Sequence, residues 1–193
     1  DGLCYKLVPI STPNDKANPF DMGRVDSDLM YELVKKWDWG NSGDPNIYHD
    51  VETRKNGITY RGNLARLIEA LINEDKLDKA EEIADLAMEK MPVDDFGFYT
   101  LLEPYIITYY DVNAVEKARK LFDEVAIKYQ ESLSYYSQLT IDNQERYFEE
   151  IYIDIERYRS LVDILILNED DSSIVEREMQ EFNAHLRLFS HFI

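Results

Sequence analysis

Leu64-Ala65-Arg66-Leu67-Ile68-Glu69-Ala70-Leu71-Ile72 places Leu64, Leu67, Ile68, Leu71 and Ile72 at i, i+3, i+4, i+7 and i+8. That is the apolar stripe of a helix packed on one face. Downstream, Ala80, Ile83, Ala84, Ala87, Met88 and Met91 repeat it, with Asp78 read as N-cap and Glu81 at N3. Only Asp75-Lys76-Leu77 joins the two stripes, so the helices are expected to run antiparallel.

The pattern returns. Phe98, Leu101, Leu102, Tyr105, Ile106 and Tyr109 form a third stripe, and Ala118, Leu121, Phe122, Val125, Ala126 and Tyr129 a fourth, opened by Asn113 with Glu116 at N3. Aligning Lys79-Ala80 with Lys117-Ala118 gives an offset of 38 residues, near the roughly 34-residue period of tetratricopeptide repeats. Ala80, Ala87 and Pro92 stand where such a repeat uses small residues and a closing proline, although Ile68 replaces its usual small residue. The longer period leaves room for a loop at Val93 to Gly97.

Outside these hairpins, Leu3, Tyr5 and Leu7 alternate with Cys4, Lys6 and Val8, the period of a short strand stopped by Pro9. Ser11 to Gly23 reads as a loop, Ser27 to Lys36 as a short helix, and Asp38 to Pro45 as a turn. A long helix is expected from Asp142, with Glu145 at N3, through Phe148, Ile151, Tyr152, Ile155, Tyr158, Val162 and Leu165. A last helix opened by Ser173 and Glu176 carries Val175, Met179, Phe182, Leu186 and Phe189, a narrower seam suited to an antiparallel cap on the long one.

The expected fold is all-α: tetratricopeptide-like antiparallel hairpins in an α-α superhelix, with a short N-terminal strand and loop segment and a long C-terminal helix pair. Residues 1–58 form the N-terminal segment, 59–141 the two hairpins and 142–193 the final pair, all within one structural domain.

Acidic residues number 39 against 21 basic ones, a net charge of −18, which repels phosphate backbones and disfavours nucleic acid as a partner. It also disfavours anionic lipid, and no apolar run reaches the roughly 18 to 20 residues of a spanning helix, so direct membrane insertion is not expected. The lone Cys4 closes no internal disulfide. The chain opens on Asp1-Gly2 without a methionine or a signal-like stretch, and is read as an excerpt of a longer protein.

No catalytic residue, cofactor or metal is expected from the motifs. His49, His185 and His191 lack metal-site spacing, the glycines form no phosphate loop, and no serine sits in a nucleophile elbow. The acidic turn Asp38 to Asp50 departs from the order of a calcium loop, and capping explains its side chains. Glu149, Glu150, Asp154 and Glu156 read as a solvated helix face.

Aromatic residues stand out more. Trp37 and Trp39 flank Asp38, where indoles can stack on a sugar or peptide, against the commoner role of plugging a packing seam. Tyr105, Tyr109, Tyr110, Tyr135 and Tyr136 cluster along one hairpin. In repeat folds such residues recognise peptides on the concave face, although core filling is commoner. Trp37, Trp39, Tyr105 and Tyr109 are therefore candidate partner contacts.

Tyr5 to Ile10, Met30-Tyr31 to Trp39-Gly40-Asn41, Asp44-Pro45-Asn46-Ile47-Tyr48 and Arg61 to Ile72 together resemble the soluble C-terminal region of large Bacteroidetes-type polytopic membrane proteins, a family defined by a domain of unknown function. In that family a membrane region similar to protein-mannosyltransferase-type glycosyltransferases precedes a helical tail. Tyr48 and Arg61, within these segments, join the candidate contacts. The resemblance implies a non-catalytic accessory domain on the extracytoplasmic (periplasmic) face of the inner membrane. Its partners would be a protein or peptide, such as a glycosylation acceptor or envelope protein, and its own upstream membrane region. The alternatives are a free-standing cytoplasmic tetratricopeptide-like adaptor and a carboxylate-dependent sugar hydrolase, the last needing two acids about 5 to 10 Å apart.

Overall fold

The computed structural model describes Cys4 and residues 23–192, and among these every regular element is a helix. The expected N-terminal strand and most of the expected proline-bearing loop fall outside the described residues. None of the described helices is long and apolar enough to cross a membrane. The chain divides into two compact units, Asp1–Leu101 and Leu102–Ile193.

In the first unit, α1 (Ser27–Val34) is capped by Asp26, whose carboxylate accepts from Leu29 N–H at 3.1 Å. Next, α2 (Val51–Asn73) is capped by Asp50, which accepts from Thr53 N–H at 2.7 Å. Leu64, Leu67, Ile68 and Leu71 of α2 and Ala80, Ile83, Ala84 and Ala87 of α3 (Leu77–Lys90) are buried where these helices pack together. Burial of each larger aliphatic chain contributes about 1.5 to 3 kcal/mol. Tyr31 and Val34 are buried on α1, which packs on α2, and Tyr31 Oη donates to Glu82 of α3. Around the α2–α3 turn, Lys76 pairs with Asp28 at 2.8 Å and Glu74 at 2.7 Å.

The expected loop at Val93 to Gly97 instead contains a single turn, α4 (Val93–Phe96), which buries Phe96. Gly57 of α2 makes room for that ring, because a Cβ there would lie 2.8 Å from Phe96 Cδ1. Gly43 likewise lets its loop reach the Glu89 carbonyl at the end of α3.

A 3₁₀ turn (Tyr99–Leu102) spans the division between the units, and in the second unit α5 (Glu103–Asp111) is followed by α6 (Val115–Ser137). Phe98, expected to begin a helical stripe, is 39 % exposed and has φ 51°, and the buried pattern starts at Leu102. The long helix expected from Asp142 is broken at Tyr147 into α7 (Ile141–Arg146) and α8 (Phe148–Asn168). Finally, α9 (Ser172–Arg187), capped by Asp171, packs on α8. Phe182 and Phe189 are buried as the seam predicts, whereas Met179 is exposed.

The two helix–helix turns match in detail. Lys76 N–H donates to Leu71 O at 2.9 Å and Asp75 N–H to Ile72 O at 2.9 Å; 38 residues on, Ala114 N–H donates to Tyr109 O at 2.7 Å and Asn113 N–H to Tyr110 O at 2.9 Å. Asp75 and Asn113 both adopt left-handed backbones, at φ 59° and 61°. Each turn is a Schellman motif, in which one left-handed residue ends the helix.

This geometry corrects two caps. Asp78 lies inside the first turn of α3 and Asn113 closes α5, while Lys76 and Ala114 occupy the N-cap positions without side-chain capping bonds. Asp and Asn favour both N-caps and left-handed turns, so residue type alone did not separate the two roles. Because the Asp75 side chain makes no hydrogen bond or ion pair among the described residues, Asp75→Gly should stabilise the chain by about 0.5 to 1 kcal/mol through relief of the left-handed penalty. A urea midpoint unchanged or lowered in the variant would contradict this.

Candidate functional site

Of the candidate residues, the structure brings Trp37 and Trp39 together and adds Tyr60. The indoles lie 5.4 Å apart between centroids, and Tyr60 of α2 is 5.6 Å from Trp37 and 5.5 Å from Trp39. All three are half-buried, so each keeps an accessible edge while the cluster fixes the chain leaving α1. Tyr48, 83 % exposed, stands in the segment leading into α2.

The other candidates are buried. Arg61 is 0 % exposed, and its guanidinium donates to the Gly97 carbonyl, to Met91 O at 2.7 Å and to Pro92 O at 3.4 Å. It also stands 5.9 Å from the Phe96 ring centre. Arg61 therefore binds the backbone on either side of α4. Tyr105 and Tyr109 are core residues at 0 % and 3 % exposure.

Sequence reasoning missed a polar cluster in the second unit. Glu169, just past α8, has a side chain only 1 % exposed. Arg119 Nε donates to its Oε2 at 2.8 Å and Nη2 to its Oε1 at 2.7 Å, a two-pronged pairing. Tyr110 Oη adds a bond at 3.1 Å and Asp171 N–H one at 2.9 Å. Arg119 above all holds the Glu169 carboxyl down at about 2. Burial, reinforced by Glu169, raises the Tyr110 hydroxyl. Residues 50 apart in sequence meet here, and no short motif announces them.

Beside the cluster is a recess of 370 Å³ lined by Val115, Arg119, Asn168, Glu169, Asp170 and Asp171. Glu169 is held ionised and its oxygens are occupied by donors, so it is unsuited to giving or taking a proton near neutral pH. Glu103 behaves differently: burial raises its carboxyl, opposed by a 3.3 Å bond from Ser160 Oγ. Among the described residues, no group of three or more His, Cys, Asp or Glu is arranged to hold a metal ion.

A second aromatic cluster gathers Tyr135 and Tyr136 from the last turn of α6 with Tyr147 at the start of α8. Tyr136 is 5.6 Å from Tyr135 and 5.7 Å from Tyr147 between centroids. The tyrosine-rich run pointed to Tyr135 and Tyr136; Tyr147 joins them through the break between α7 and α8. No protein-family model, curated protein or solved structure matches this chain.

Proposed function

We propose that this chain is a non-catalytic interaction module, built on two tetratricopeptide-like helix pairs, that holds a protein partner. The repeated turn carries the reading: the same hydrogen bonds and left-handed residue recur 38 residues apart. Leu64, Leu67, Ile68 and Leu71 recur as buried Leu102, Tyr105, Ile106 and Tyr109, and Ala80 recurs as Ala118. Duplicated pairs of this kind serve as scaffolds that present surface side chains to polypeptides. The half-exposed Trp37, Trp39 and Tyr60 and the projecting Tyr48 are such side chains.

The sequence resemblance supplies the setting we favour, an extracytoplasmic accessory domain of a polytopic glycosyltransferase-like protein whose partner is a glycosylation acceptor or envelope protein. A photo-reactive phenylalanine analogue at position 48 of the full gene product, irradiated in its native cells, is expected to give a discrete cross-linked protein. The same analogue at exposed Glu124 serves as the comparison. Cross-linking no different between the two positions would count against a partner at this surface. Fractionation decides the setting: the gene product should sediment with membranes, and a wholly soluble product would leave an adaptor.

A further inference from the structure

The Tyr135, Tyr136 and Tyr147 cluster lies wholly in the second unit and has no part in its apolar core. Tyr135 is 61 % and Tyr147 44 % exposed, so both rings keep solvent-accessible surface while each packs against Tyr136. Glu150 and Asp154 follow Tyr147 at three and seven residues on α8, the spacing that shares a helix face. Asp154 is anchored beside α6, where Ser132 Oγ donates to its Oδ2 at 2.6 Å, one helical turn from Tyr136. Both carboxylates act electrostatically on the Tyr136 hydroxyl, raising it together with burial, which is the largest cause.

Exposed π faces beside carboxylates attract a cation: the ring quadrupole and the fixed negative charge act in the same direction. Among the described residues, the lysine and arginine groups found over aromatic rings stand over Tyr31, Phe96, Tyr109 and Phe182, not over these three. A second copy is a poor occupant because each chain carries a net charge of −18, and nucleic acid is repelled for the same reason. We propose that Tyr135, Tyr136 and Tyr147, with Glu150 and Asp154, bind a lysine- or arginine-bearing segment of a protein partner.

This inference rests on the reading of the chain as an interaction module and adds the chemistry of the partner. The net charge attracts any polycation, so the test must separate rings from field. Calorimetric titration of the whole chain with a short capped peptide of alternating glycine and lysine is expected to show binding. Replacing both exposed rings, Tyr135→Leu with Tyr147→Leu, changes no charge and should weaken binding at least about fivefold. Glu150→Gln with Asp154→Asn should weaken it more than Glu32→Gln with Glu69→Gln, a pair of equal charge on exposed positions of the first unit.

Absence of binding overturns the site, as does equal binding by the ring variant when circular dichroism shows it folded. Equal losses from the two charge pairs also overturn it, and this comparison decides the matter alone if the ring variant misfolds. Sedimentation that shows a wild-type dimer abolished by the ring substitutions would assign the face to a second copy and likewise overturn it. If cross-linking at position 48 recovers a partner while the peptide test fails, the interaction reading survives and this site does not.

Discussion

Arg61→Met is expected to destabilise the first unit by about 3 to 5 kcal/mol, the scale of leaving two buried carbonyls, of Gly97 and Met91, without their donors. Methionine nearly fills the space of the arginine stem, so the loss is chiefly one of donors. The fully buried guanidinium serves the carbonyls of Gly97, Met91 and Pro92. A buried ion pair can be replaced by apolar side chains at little cost when both partners change, but here the acceptors are backbone groups that no substitution removes. They are carbonyls at the end of α3 and around α4, where the helix dipole also favours a cation.

With a urea slope of about 1 to 3 kcal/mol per molar, the first-unit transition should move to lower urea by at least about 1 M. Arg61→Lys should recover only part of the loss, since one ammonium cannot reproduce the planar fork. A midpoint for Arg61→Met within about 0.2 M of wild type, far short of the expected shift, would show that these carbonyls find other donors.

Arg61 also explains a part of the fold that the hydrophobic pattern hides. The helix was legible from Leu64 onward, but α2 begins at Val51. Its buried face continues backward through Arg61 and Gly57, at helical spacing from Leu64. An arginine and a glycine occupy those inward positions because the neighbour there is α4, whose ring needs space and whose flanking carbonyls need donors. Val51 and Ile58 meanwhile point outward, at 53 % and 40 % exposure, so an apolar count is misled twice.

Period likewise identifies a helix better than it fixes the edge of its buried face. Ile151, Ile155, Tyr158, Val162 and Leu165 on α8 are buried as their spacing predicts, but Phe148 and Tyr152 of the same stripe are 41 % and 49 % exposed. The candidate contacts divide on the same principle. Tyr105 and Tyr109 stand at core positions of the repeated pattern, which the 38-residue alignment with Leu67 and Leu71 already indicates. Trp37 and Trp39 lie in a turn with no period, and only the fold shows that Tyr60 joins them.

The Glu169 cluster, which no local pattern announces, carries the second large expected effect. Glu169→Gln should cost the second unit about 2 to 3 kcal/mol at pH 7, because the amide keeps one acceptor but turns an NH₂ toward the Arg119 donors. The effect has a pH signature. Folding lowers the Glu169 pKa from its ordinary 4.5 to about 2, so its stabilisation is fully present above about pH 5 and is lost as pH falls through 4.5 toward 2. The depression corresponds to roughly 3 kcal/mol, about 2 of which should be gone by pH 3.

Wild-type stability alone is a poor gauge, because protonating other acids also relieves the self-repulsion of a chain with net charge −18. The difference between wild type and Glu169→Gln removes that shared contribution. Urea unfolding of both proteins at pH 7 and pH 3 should show the difference shrinking by most of its neutral value. A difference that stays constant across this range would mean that the glutamate acts by shape and hydrogen bonding alone, and that its charge contributes nothing to holding the α8–α9 turn against Arg119.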